Sequence, residues 1–146
     1  VRIDALRDVP LEAAMVAAQW HAAHFGGSAA RVLDQTLGRT ADRFDPDLSQ
    51  VLRIHGCVIG MMLAHRTGDE ARAEGTVIDP AFRHGWAHVL LKLHCFRNGL
   101  RLGVAQSVFY TFDQHGDTRQ FARKMGATVR ALAVLGRPIG AKASAL

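Results

Sequence analysis

The run Arg83-His84-Gly85-Trp86-Ala87-His88 stands between an apolar, strand-like segment and a long helical pattern. A strand that enters a helix through a small, basic turn is a device for holding an anion. The first N–H groups of a helix have no partners within it and carry partial positive charge. Small residues let a phosphate approach the backbone, and Arg83 and His84 add charge to the same turn. Together these features suit a pyrophosphate.

Other reactive side chains form weaker patterns. His21 and His24, and His84 and His88, are spaced to share a helix face, but no third ligand of clear spacing accompanies either pair, so no metal is expected. No GxSxG occurs, so there is no nucleophile elbow. Cys57 and Cys95 lie in apolar stretches outside any CxxC pair and read as two buried thiols.

The elements that must position the turn follow from periodicity. Val1 to Leu6 alternates weakly and reads as a first strand. Asp8 and Pro10 open a helix with Leu11, Met15, Ala18, Ala22 and Phe25 at spacings of three and four, and Gly26-Gly27 stops it. Ser28 caps a second helix whose stripe is Val32, Leu33, Thr36, Leu37 and Phe44. Gln50–Ile54 and Cys57–Ala64 flank His55-Gly56 as a tight hairpin. Arg66 to Glu70 is a polar turn, and Ala73 to Asp79 a third antiparallel strand stopped by Pro80. After the basic turn, Val89, Leu90, Leu93, Phe96, Arg97 and Leu100 recur at helical spacing up to Gly103. Gln106 to Phe112 reads as a strand, Asp117 to Met125 as a short helix with Gly126 at C′, and Thr128 to Leu135 as a closing strand.

The chain has 146 residues, 49% of them apolar and 21% charged, which fits one packed domain over 1–146 with about 138–146 as a frayed tail. No run of about 18 apolar residues exists, so no membrane span is expected. The formal charge of +5 suits an anionic ligand. The basic residues are scattered, so nucleic acid is not an expected partner. The lack of targeting signals reads as cytoplasmic.

The order strand, two helices, three strands, basic turn, helix, strand, helix, strand resembles the GNAT (GCN5-related) N-acetyltransferases over nearly the whole chain. Val77-Ile-Asp-Pro-Ala-Phe-Arg-His-Gly-Trp-Ala87 is similar to the family's pyrophosphate signature, Arg/Gln-x-x-Gly-x-Gly/Ala. Two alignments stay open: Gly85 and Ala87 as the small positions with Phe82 at the Arg/Gln position, or Arg83 at that position with Trp86 and His88 at the small ones. Asp117-Thr-Arg-Gln-Phe-Ala-Arg-Lys-Met-Gly-Ala127 is similar to the second signature, with Ala127 in place of an aromatic.

The resemblance implies an α/β (α+β) fold with a mixed, mostly antiparallel sheet of six to seven strands and about four helices. It implies an N-acyltransferase that uses acetyl-CoA as cosubstrate and no metal, with direct attack by the acceptor amine on the thioester. Val77, Ile78 and Asp79 would meet the pantetheine through their backbone. Arg83, His84, Gly85, Trp86, Ala87 and His88, with Asp117 and Phe121, would complete cofactor binding. Glu74 is the base by position. The family's acid, a tyrosine, falls on Ala122, which leaves Tyr110 on the fifth strand as the acid candidate, with His115 and Asp117 close by in sequence. The acceptor is a small-molecule or peptide amine, met by the first two helices (Trp20, His21, His24, Arg31, Asp34, Arg39) and by the loop Arg66 to Glu70. A homodimer is among the expected assemblies. The alternative is a non-catalytic ligand-binding or protein-interaction module on the same fold, with a degenerate acyl-CoA site.

Overall fold

In the computed structural model the described residues are 1–83, 85–110, 116–124 and 126–128; of residues 116–118 and 121 only the backbone is described. The chain divides into two compact units, Val1–Tyr110 and Thr111–Leu146.

The first unit is built on one sheet, β1 (Arg2–Ala5), β2 (Gln50–Ile54), β3 (Cys57–Thr67), β4 (Glu70–Ile78) and β5 (Gln106–Phe109), in that spatial order. Neighbours are antiparallel except β4 and β5, which are parallel. A parallel pair needs a crossover, and helix α3 (Trp86–Arg101) supplies it. Between β1 and β2 run α1 (Leu11–Phe25) and α2 (Ala29–Thr36). The β2–β3 hairpin turns on His55 and Gly56 with φ +48° and +86°, the left-handed pair that matches strand twist. Five strands are described; the expected closing strand falls on residues outside the description from Val129 on.

The two faces of the sheet are covered separately. Val51, Met61, Leu63 and Val77 pack with Ala13, Ala17 and Ala18 of α1. Leu52, Ile59 and Ile78 pack with Ala87, Leu91 and Cys95 of α3. Both helices turn small residues inward, which brings their backbones close to the sheet. The expected stripes are therefore corrected. Leu11, Met15 and Phe25 of α1 are exposed, as are Val89, Leu90, Leu93, Phe96 and Leu100 of α3. Phe44 is buried as expected, but from the loop after α2, which ends at Thr36. Cys95 is buried, whereas Cys57 is exposed at the hairpin, against the expectation of two buried thiols. At the edge of the sheet, Arg53 Nε and Nη2 donate to Asp4 Oδ2 at 3.0 and 2.5 Å, tying β2 to β1 with both side chains largely buried.

The second unit contains α4 (Gly116–Lys124). Its end is a Schellman closure: Ala127 N–H donates to Ala122 C=O and Gly126 N–H to Arg123 C=O, both at 2.9 Å, with Gly126 at φ +79°. Gly126 occupies the C′ position expected of it. No helix among the described residues is long and apolar enough to cross a membrane.

Candidate active site

The site begins with an irregularity in β4. Leu63 pairs with Gly75 and Ala64 with Ala73, so Glu74 is an extra residue with no partner on β3. This is a β-bulge, which bends its strand. On the other edge, β4 and β5 pair only from Glu70↔Gln106 to Ala73↔Phe109. The two strands part where the bulge begins. Glu74 and Tyr110 are the next residues along each strand at that fork. Tyr110 stands one residue past β5 rather than within it, and it is 63% exposed.

Beyond the fork, β4 runs on to Ile78 without β5 beside it. Asp79 N–H donates to Ile59 C=O at 2.9 Å. Alternation along an antiparallel pair then turns Val77 toward β3, and the amides and carbonyls of Thr76 and Ile78 toward the open edge. Of the three expected backbone contacts, Ile78 therefore presents its polar groups to the gap, while the Asp79 N–H is engaged at Ile59.

Pro80–Phe82 makes one 3-10 turn, started by Asp79, whose Oδ1 accepts from Ala81 N–H at 2.8 Å. Gly85 then stands at the N-cap of α3. It supplies no side-chain cap, and the first turn holds no acidic residue. The α3 N-terminus is thus left for an outside acceptor. Ala87 is fully buried against the sheet, so only its backbone belongs to the turn. Trp86 is half exposed and lies edge-on to Phe82, with centroids 6.3 Å apart. Its ring leans back along the turn. Burial pushes the His88 imidazole below its ordinary value, with Lys92 adding to the effect. Arg83 Nε donates to Ile78 C=O at 3.2 Å and Nη2 to His24 Nε2 at 3.1 Å, so its guanidinium bridges the end of β4 and the end of α1. His84 lies outside the described residues, as do His115 and the side chains of Asp117 and Phe121.

The bulge has a second effect. Arg72 and Glu74 share a face, since Arg72 Nε donates to Glu74 Oε1 at 2.8 Å. Ordinary alternation would put Gly75 on the other face, yet the Phe25 ring of α1 lies directly over it. The extra residue places Glu74, Gly75 and then Val77 all toward α1. Glu74 is therefore a half-buried residue within β4, and it faces a set of rings. Phe25 and His21 have centroids 4.9 Å apart, His21 and Phe44 5.7 Å, and Phe44 and His65 4.8 Å. His65 Nε2 lies 3.6 Å from Glu74 Oε1.

His21 has both ring nitrogens buried without a hydrogen-bond partner. Burial holds its imidazole below the ordinary value; Glu74 opposes that effect and His65 adds to it. The structure thus joins Glu74 to His21, expected only as an acceptor contact, and adds Phe25, Phe44 and His65, while His24 is bonded to Arg83. Two signals for this were present in the sequence. Met61, Leu63 and His65 share one strand face, and Gly75 inside a strand pattern marks a bulge. Arg31 and Arg39 are instead paired with Asp42 and Asp34 on the exposed surface. No group of three or more metal ligands occurs among the described residues.

No family model matches the sequence, and no curated protein matches it. Solved structures do match the fold. The aminoglycoside N-acetyltransferase AAC(6')-Iy in complex with CoA is 16% identical, covers 88% of each chain and superposes with a TM-score of 0.65. The ribosomal-protein-S18-alanine N-acetyltransferase from Escherichia coli is 18% identical, with a TM-score of 0.67 over 86% of this chain and 76% of that one. The PaiA N-acetyltransferase from Thermoplasma acidophilum in complex with coenzyme A is 15% identical, with a TM-score of 0.57 over 86% and 89%. The fold is that of the GNAT acetyltransferases.

Proposed function

We propose that this GNAT-fold chain transfers an acetyl group from acetyl-CoA to an amine by direct attack. The observation that carries the reading is the fork. Pairing between β4 and β5 stops at Ala73↔Phe109, with the bulged Glu74 at the branch point and an uncapped helix N-terminus on the same strand-to-helix path.

The residues present fit the cosubstrate. The α3 N-terminus at Gly85, Trp86 and Ala87 offers N–H donors to a pyrophosphate and Arg83 beside it positive charge, with His84 and His88 adjacent in sequence. The outward amides of Thr76 and Ile78 suit the amide groups of pantetheine. A backbone N–H at this edge also stabilises the thioester oxygen as negative charge develops on it, a large term in acyl transfer.

The acceptor arrives as an ammonium and must lose a proton before its nitrogen attacks. Glu74 stands at the fork to receive it. The N–C bond forms and the C–S bond breaks. The electron pair leaves on sulfur as a thiolate, whose moderate basicity lets it depart unassisted. Tyr110, at the same fork, is the group placed to return a proton to it. The acceptor side is α1 and the loop before β2, where His21, His24 and Phe25 lie.

One observation favours the alternative of a binding module without turnover: the Arg83 guanidinium already holds Ile78 C=O and His24. A thermal melt with and without CoA, followed by release of CoA thiol from acetyl-CoA with kanamycin, spermidine and an N-terminal alanyl peptide, separates the readings. Stabilisation with turnover of one amine supports transfer. Stabilisation without turnover supports the module, and no stabilisation at millimolar CoA removes both.

A further inference from the structure

We propose that the proton leaving the acceptor amine is held by a Glu74–His65 pair, with His65 as the positioning residue that takes it from the carboxyl group. The proposal rests on the acyl-transfer reading above.

The His65 ring is fixed on two sides. It stands against Phe44, and its Nδ1 lies 2.9 Å from the Arg43 carbonyl oxygen. A carbonyl oxygen only accepts, so Nδ1 carries the hydrogen. In the neutral ring Nε2 then bears the lone pair, and it lies 3.6 Å from Glu74 Oε1. Two acceptors facing each other are brought together by a proton between them. Arg72 Nε also meets Oε1, so the contacts described on the carboxylate fall on one oxygen. In the proposal Oε2 takes the acceptor's proton.

The charged and titratable groups facing His65 are Glu74 and Arg72 from β4 and His21 from α1, which is electrostatically coupled to both His65 and Glu74. The Arg43 backbone closes the remaining side.

The transfer balances simply. The ammonium gives one proton to Glu74 before its nitrogen attacks; the second leaves the nitrogen as the C–S bond breaks and ends on the departing sulfur. The carboxyl group, whose terminal torsion is broad, turns and passes its proton to His65 Nε2. The result is a carboxylate beside an imidazolium, and the imidazolium discharges to solvent before the next turnover. Passing the proton on returns Glu74 to the carboxylate form, ready for the next acceptor.

Two measurements test this. Ring ¹⁵N–¹H NMR of the unmodified protein reads the His65 tautomer without any acceptor: Nδ1–H is expected, and Nε2–H overturns the proposal. With whichever of the three amines turns over fastest, His65→Gln is expected to move the acid limb of the kcat/KM profile to lower pH. CoA stabilisation should be unchanged. His65→Phe keeps a ring against Phe44 and should give the same displacement if His65→Gln folds poorly. An unmoved limb overturns the role of His65 and leaves acyl transfer standing. Failure of all three amines overturns both together.

Discussion

Phe25 occupies the space that a side chain on residue 75 would fill: a Cβ on Gly75 would stand 2.2 Å from Phe25 Cε2 and 2.4 Å from Cζ. The end of α1 is thereby held on β4 beside Glu74. Gly75→Ala forces the ring off the strand. Because Phe25 is half exposed, the ring can swing outward, so the expected cost is about 1–2 kcal/mol, within the usual range for overpacking. In a Phe25→Ala background the same change should cost close to nothing. Chemical denaturation of the four members of that double-mutant cycle measures the coupling.

Arg83 ties the turn to β4 and α1 through Ile78 C=O and His24 Nε2. Arg83→Glu puts a negative charge at the anion-binding turn. CoA is expected to raise the melting temperature of the native chain and to leave Arg83→Glu unmoved, since a ligand stabilises only the state that it binds. The two proteins should melt alike without ligand to within a few degrees.

Glu74→Gln keeps the shape of the side chain and removes its basicity. It is expected to lower kcat/KM by about a hundredfold or more, the usual contribution of a positioned base, with CoA stabilisation intact. An equal loss of CoA stabilisation would place Glu74 in binding instead.

Burial holds the imidazoles of His21, His88 and His94 below their ordinary value of 6.5. Below that pH the unfolded chain takes up protons that the folded chain resists. Stability present at neutral pH is therefore lost as the pH falls through about 6.5 and below. Melting temperatures between pH 8 and pH 5 should show the decline, and His21→Phe should make it shallower.

The two cysteines should separate by reactivity. Burial pushes the Cys95 thiol up to about 12, while Cys57 is exposed on the hairpin. One thiol per chain should react promptly with a disulfide reagent in the native state, and two after denaturation. Prompt native modification of both would contradict the packing of Cys95 between α3 and the sheet.

Turns and element order were legible because they are set by local chemistry: Gly26-Gly27, His55-Gly56 and Gly103 each punctuate the chain where φ turns positive. Helix faces were not. Large apolar residues advertise a stripe, but α1 and α3 are pressed so close to the sheet that small residues, with Leu91 the one large side chain of the α3 contact, fill most of it. Leu93 and Leu100 are left outside. Glu74 was legible by position and its neighbours were not. Its contact with His65 depends on a bulge, and the side on which a bulged residue emerges is fixed by pairing with another strand. Phe44 reaches the site from an irregular loop, which has no periodicity to read.

The bulge makes the site depend on the parity of a count. From Ala73 to Gly75, β4 spends two steps where β3, from Ala64 to Leu63, spends one. Excising Glu74 would restore regular pairing and leave residues 73 and 75 on the faces they already hold, yet remove the carboxylate from the fork. A loop in this chain can gain or lose a residue at small cost. This strand cannot, because its chemistry is written in an odd number.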